Sequence, residues 1–105
     1  MPTGFLVEIE AREDKVEEVE AFLHEAIGMA EREDGMHVWL AGRSGPANFL
    51  TFNTFPDAAA SDAHMVGELA TAFSARADEL LACPPRIVAY EVVEQKLPGR
   101  GNARG

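Results

Sequence analysis

The strand-forming segments of this chain are apolar on both faces, which restricts the folds open to it. Successive side chains of a strand point to opposite faces. In residues 48–55, Phe49 and Phe55 fall on one row, while Leu50 and Phe52 fall on the other. An antiparallel sheet with one face in water shows a cleaner alternation of apolar and polar residues. We therefore expect both faces of the sheet to be covered.

Apolar periodicity and turn residues predict strands and helices in the order β-α-β-β-α-β. The predicted strands cover residues 5–10, 36–41, 48–55 and 86–94. The predicted helices cover residues 13–32 and, after a break at Pro56, a short segment over 57–61 that runs into a longer one over 62–81. This order indicates an α+β fold of the ferredoxin-like type, with a four-stranded and mainly antiparallel sheet.

Both helices of such a fold pack on one face of the sheet, so the other face needs a different cover. We predict that a second copy of the chain supplies it, as a homodimer with the two sheets face to face. A length of 105 residues is typical of one domain. We predict that this domain covers residues 1–97 and that residues 98–105, which are rich in glycine, form a flexible tail.

Composition excludes several classes of partner. The net charge of −9 repels phosphate backbones and anionic lipids, so we expect no nucleic-acid or membrane partner. No apolar run approaches the roughly 20 residues of a membrane span, and no signal peptide is visible. The single cysteine, Cys83, is typical of a reducing compartment, and we predict a cytoplasmic protein.

His64 is the residue that the sequence favours for catalysis. No dinucleotide, phosphate-loop or metalloprotease motif is present, and the three histidines are far apart in sequence, so we predict neither a metal site nor a bound cofactor. His64 comes early in the second helical region, where a histidine either acts as a base facing a pocket or serves as a helix-terminal residue bonded to backbone or solvent. Both interpretations stay open on the sequence alone.

Five further residues are candidates for substrate binding. Asn53 is polar on an otherwise apolar row, and its amide binds either a substrate carbonyl or, within the protein, a neighbouring strand or buried water. The aromatic candidates either line a pocket or fill the core and an interface. They are Trp39, Phe52, Phe55 and Tyr90.

Residues 55–64, Phe-Pro-Asp-Ala-Ala-Ala-Ser-Asp-Ala-His, resemble the antibiotic biosynthesis monooxygenase (ABM) domain family. Phe55 stands at the aromatic position that ends the third strand, and His64 stands at the histidine of the next helix. Glu33-Asp34-Gly35 resembles the turn after the family's first helix. The resemblance covers about residues 4–95. It implies a dimeric α+β barrel and, for some members, oxygenation of quinols or polyphenols without a cofactor.

In the chemistry that the resemblance implies, His64 handles the phenolic proton while Asn53 and Trp39 orient the substrate, with Tyr90 as a weaker addition. The expected function is a cofactor-independent monooxygenase for a small hydroxylated aromatic or quinol. Two alternatives remain: a non-catalytic dimeric module that binds a small apolar ligand, and a lactone or enol isomerase on the same barrel. The fold alone does not choose among them.

Overall fold

In the computed structural model, which describes residues 1–97, four strands form one sheet and the helices pack against it. The strands are β1 (Thr3–Glu10), β2 (Val38–Arg43), β3 (Asn48–Phe55) and β4 (Arg86–Glu91). The helices are α1 (Val16–Glu31), preceded by a 3-10 turn over Glu13–Lys15, α2 (Ala58–Met65) and α3 (Glu68–Leu80). The predicted tail over 98–105 lies outside the described residues.

The sheet has the order β2-β3-β1-β4, and every neighbouring pair is antiparallel. This confirms the predicted α+β, ferredoxin-like fold. The register pairs Asn53 of the central strand β3 with Phe5 on one side and with Trp39 on the other. Residues paired in this way point to the same face. The three side chains therefore form one row across the sheet, on the face that carries the helices.

The core lies between that face and the amphipathic helix α1. Its buried residues recur at steps of three and four, which places them on one side of the helix. They are Val19, Phe22, Leu23, Ala26 and Ala30. They pack with Ile9 and Phe49 from the sheet and with Leu69 and Leu80 from α3. This packing holds α1 and α3 side by side above the strands.

Strand β2 begins two residues later than the sequence predicts. The turn after α1 continues to Met36, whose N–H donates to the Glu33 carbonyl at 3.1 Å. The N–H of His37 then donates to the Thr54 carbonyl at 2.8 Å, one position out of the β2–β3 register. The local turn therefore competes with strand pairing until Val38. The predicted hairpin is present, and its turn is closed by a bond from the Ser44 N–H to the Asn48 carbonyl.

The second helical region is broken at a different place from the prediction. Asp57 caps α2, because its Oδ1 accepts the Ala60 N–H at 2.9 Å. Asp62, the predicted start of the longer helix, lies inside α2. The break falls at Val66-Gly67, and Gly67 in an extended conformation precedes α3. Asp57, Ser61 and Asp62 are all residue types that cap helices, and the structure uses Asp57.

The sheet face opposite the helices is apolar and is partly covered by the chain itself. Leu6, Leu50 and Phe52 point to this face, and Leu40 beside them is 47% exposed. After β4, residues 92–97 run past one end of the face, where they border a groove with Phe52. We call this whole face of the sheet, which carries Leu6, Leu40, Leu50, Phe52 and Tyr90, the open face. Its burial by a second copy stays a prediction.

Candidate active site

A cavity of about 130 Å³ lies between the sheet and the helices. Its walls are mainly apolar, and the large side chains among them are Phe5, Phe22, Trp39, Leu69 and Phe73. Polar groups enter it from Thr51, Asn53, His64 and Ser74. The cavity opens to solvent where the lining is exposed, at Met65, Ser74 and Ile87. Few polar groups in an apolar cleft are typical of a small-molecule site.

His64 lines one end of this cavity and is buried, with 8% of its surface exposed. It comes from the last turn of α2. Its ring packs against two phenylalanines that also contact each other, with centroid distances of 5.0 Å to Phe55 and 6.1 Å to Phe5. The imidazole is therefore held by aromatic rings, and water has little access to it.

Glu33 is the partner of His64, and the sequence analysis did not identify it. The Oε2 of Glu33 lies 2.7 Å from the Nδ1 of His64, and both side chains are largely buried. The two residues are 31 positions apart and lie on different elements. In the sequence, Glu33 is distinguished only as part of a turn that resembles the ABM family. No helical or strand spacing could have brought the two residues together.

Small residues allow the turn after α1 to approach α2 closely. A Cβ on Gly35 would lie 3.2 Å from the Cβ of Ala60, and a Cβ on Gly67 would lie 3.3 Å from Oε1 of Glu33. The helix break at Gly67 thus leaves room for the carboxylate beside His64. The lack of a side chain at Gly35 and at Gly67 therefore helps to position Glu33 beside His64.

The Glu33 carboxylate determines which nitrogen of His64 is free. A carboxylate only accepts hydrogen bonds, so Nδ1 must carry the proton that it donates to Oε2. In the neutral imidazole, Nε2 then has a lone pair. Nε2 makes no hydrogen bond to any other residue within 1–97. A carboxylate that orients an imidazole in this way produces a general base at Nε2.

Asn53 contributes a hydrogen-bond donor on the same wall. Its Oδ1 accepts the Phe5 N–H at 2.9 Å, so the amide oxygen is already used within the sheet. The contact also fixes the orientation of the amide, because an N–H can only donate to the oxygen. The Nδ2 group makes no hydrogen bond to another of the described residues. The predicted bond to a neighbouring strand is therefore present through Oδ1, and the Nδ2 group remains as a donor for the cavity.

The remaining candidates do not all lie in the cavity. Trp39 lines it, and Phe55 lies behind His64 as its ring contact. Phe52 and Tyr90 lie on the opposite face of the sheet, where their rings stack at 5.4 Å. The structure therefore does not bring these two residues together with His64 in one subunit. Alternation along β3 already separates Phe52 from Asn53, but it does not show which row faces the cavity.

An ion pair outside the cavity ties the same elements together. Arg32, at the end of α1, donates to both carboxylate oxygens of Glu68, at 3.0 and 2.6 Å. These hydrogen bonds lower the pKa of Glu68, and the same contact raises the pKa of Arg32. Arg32 precedes Glu33 in sequence and Glu68 follows Gly67, so the exposed pair links the two backbone segments that carry the Glu33–His64 contact.

The described residues contain neither a metal-binding cluster nor a helix suited to a membrane. No group of three or more histidine, cysteine or acidic side chains within residues 1–97 is arranged to hold a metal ion. None of the helices in that part of the chain has the length and apolar character needed to cross a bilayer.

Solved structures resemble this chain over most of its length. A protein of unknown function from Nitrosomonas europaea, NE2512, is 35% identical, with 92% of this chain and 94% of that chain covered and a TM-score of 0.89. Rv0793 from Mycobacterium tuberculosis is 20% identical, with 90% and 98% covered and a TM-score of 0.82. A structure described as an antibiotic biosynthesis monooxygenase is 16% identical, with 88% and 99% covered and a TM-score of 0.77. No protein-family model and no curated protein matches the chain.

Proposed function

This chain belongs to the ABM-like family, and from this premise we propose that it is a monooxygenase for a small phenol or quinol. The observation that carries the proposal is the Glu33–His64 pair at the end of an apolar cavity. No cofactor takes part in the proposed reaction. The substrate itself reduces oxygen.

The reaction begins with removal of the phenolic proton by Nε2 of His64. The resulting phenolate is electron-rich, and a donor such as the Nδ2 group of Asn53 stabilises its oxygen. The phenolate transfers electrons to O2, and a peroxide forms at a ring carbon that carries hydrogen. Loss of that hydrogen as a proton, with cleavage of the O–O bond, gives a quinone and water. One oxygen atom enters the product, and the other leaves in the water.

The cavity suits a single aromatic ring. Its volume of about 130 Å³ is close to the roughly 150 Å³ of an engineered apolar cavity that holds benzene. A larger polycyclic substrate would extend through the opening at Met65, Ser74 and Ile87. The apolar walls exclude water, which strengthens every electrostatic contact made to the anion.

Oxygen uptake in air, together with substrate consumption in air and under nitrogen, tests this function with a panel of phenols and quinols. We expect turnover in air, none under nitrogen, and a large loss in His64→Ala. His24→Ala is the matched control, because His24 is a histidine of α1 whose side chain is 81% exposed. Equal rates in air and nitrogen, or a His64→Ala variant as fast as the His24→Ala variant, would contradict the proposal.

A non-catalytic binding module is the alternative that the mainly apolar lining favours. It predicts saturable binding without oxygen uptake. Trp39 is the only tryptophan of the chain and lines the cavity, so its fluorescence reports binding directly. An enol or lactone isomerase would also use a base and an amide donor, and it would turn over under nitrogen. Substrate consumption under nitrogen identifies the isomerase, whereas binding without any consumption identifies the binding module.

We further propose that the protein is a homodimer whose subunits meet at the open face. The exposed Leu40 and the apolar residues around it support this assembly. Sedimentation at low concentration is expected to show a dimer for the parent chain and a monomer for Leu40→Glu. A folded parent monomer would contradict the proposal. Cytoplasmic location stays a prediction from the composition.

A further inference from the structure

Tyr90 reaches from the open face of the sheet to the backbone of a cavity residue. Its hydroxyl donates to the carbonyl oxygen of Asn53 at 2.6 Å. The phenol passes over Gly4, the residue that pairs with Tyr90 on β1. A Cβ on Gly4 would collide with both the Asn53 carbonyl and the Tyr90 hydroxyl. The contact thus depends on glycine at this position.

The Asn53 carbonyl lies toward the open face, where it accepts the Tyr90 hydroxyl and occupies the space that a Cβ on Gly4 would need. In an antiparallel pair, every second residue exchanges hydrogen bonds with the residue opposite. The N–H of Ala11 donates to the carbonyl of Ala47 at 2.8 Å and continues the β1–β3 register. The backbone N–H and carbonyl groups of the odd-numbered residues of β1 therefore point toward β3. The N–H of Phe5 should therefore meet the carbonyl of Asn53. This N–H donates to the side-chain Oδ1 of Asn53 at 2.9 Å, so the amide oxygen shares or takes over the place of the backbone carbonyl.

We propose that Tyr90 is a positioning residue that aims the side-chain amide of Asn53 into the cavity from the other side of the sheet. The phenol holds the Asn53 carbonyl toward the open face, and the Phe5 N–H takes Oδ1 as its acceptor. With Oδ1 fixed in the sheet, Nδ2 is the part of the amide that remains for a ligand. The orientation of the Asn53 amide does not depend on the proposed function, whereas its effect on turnover rests on that function.

The consequence for the reaction is a donor that is already in place when the phenolate forms. Preorganised donors act because they need no rearrangement as charge develops. In Tyr90→Phe the carbonyl is free to return to Phe5, and the amide is then released to rotate. We expect kcat to fall about tenfold, the value of one neutral hydrogen bond, with KM nearly unchanged.

Nuclear magnetic resonance of the side-chain NH2 groups tests the orientation without any substrate. The chain has three asparagines and one glutamine, so only four such signals are expected. Tyr90→Phe should move the Asn53 signal and speed its hydrogen exchange. Val88→Ala, a truncation on the same strand and face, is the matched control and should leave the signal in place.

The outcomes separate this inference from the proposed function. An Asn53 signal that is the same in Tyr90→Phe and in the parent overturns the inference, whatever the activity. A shifted signal with unchanged kcat overturns the positioning role. A His64→Ala variant as fast as the parent overturns the proposed function alone, and the Asn53 signal still decides the orientation. A shifted signal together with a tenfold lower kcat supports the inference.

Discussion

Replacing Glu33 by glutamine should slow turnover without unfolding the protein. Glutamine has the same shape and retains an oxygen that accepts the His64 Nδ1 proton, but it has no charge. The contact is 2.7 Å long, and the two side chains are 9% and 19% exposed, so solvent screens it little. A hydrogen bond to a charged group contributes about 1.5–3 kcal/mol and a neutral one about 0.5–1.5 kcal/mol, so removal of the charge costs about 1–1.5 kcal/mol. At about 1.36 kcal/mol per factor of ten, kcat should fall roughly 5- to 15-fold.

The assay compares initial rates of oxygen uptake in the parent, Glu33→Gln and Asp34→Asn. Asp34 is the neighbouring acidic residue and is exposed, so its variant has the same change in net charge at nearly the same place. We expect the Asp34→Asn variant to match the parent. Denaturant unfolding of all three proteins shows whether a slower rate reflects lost stability.

Equal rates for Glu33→Gln and Asp34→Asn, in a protein that still requires His64, would refute the role of the carboxylate. The pair can also be examined without a substrate. The Nδ1 proton of His64 should give a protected resonance in the parent, because it is held by a buried carboxylate. That resonance should exchange rapidly in Glu33→Ala.

Three further predictions follow from the polar contacts. Burial raises the pKa of Tyr90 above its usual value, so absorbance should show the chain's one phenolate forming above about pH 10, and a midpoint at the ordinary value would contradict the burial. The stability that Tyr90 contributes in this way is present below the unfolded-state pKa and is lost as pH rises through the folded-state pKa. Asp57→Ala should lower the free energy of unfolding by about 0.5–2 kcal/mol in urea, whereas Asp62→Ala, inside the same helix, should change it much less. The hydrogen bonds from Arg32 lower the pKa of Glu68, so Arg32→Ala should return that pKa toward its usual range in a carboxyl titration, and an unchanged titration would show that the ion pair does not form in solution. The stability that this ion pair contributes is present above the unfolded-state pKa of Glu68 and is lost as pH falls through the folded-state pKa.

The sequence predicts elements well where turn residues bound them and less well where several turn signals compete. Strand β3 has the predicted bounds, because Gly45-Pro46 precedes it and Pro56 follows it. The break between α2 and α3 was placed too early, since Asp57, Ser61 and Asp62 are all suitable caps. The packing of the whole helix decides which of these residues serves as the cap, and the local sequence carries no information about that packing.

The candidate site was predicted in part. His64, Asn53 and Trp39 were identified and do line the cavity, but their roles stay predictions. Glu33 was missed because its contact with His64 depends on how the turn after α1 docks on α2. Phe52 and Tyr90 were grouped with the site residues, although they lie on the other face of the sheet. Periodicity shows which residues share a face, but it does not show which face the helices cover.

The two members of the Glu33–His64 pair come from opposite sides of the β2–β3 hairpin. A chain cut in the loop at Gly45-Pro46 would leave Glu33 and Trp39 in one fragment and Asn53 and His64 in the other. Neither fragment alone would contain the base together with its carboxylate. Any recovery of turnover on mixing would therefore measure reassembly of the two halves, which makes this hairpin a natural place to divide the protein into a complementation reporter.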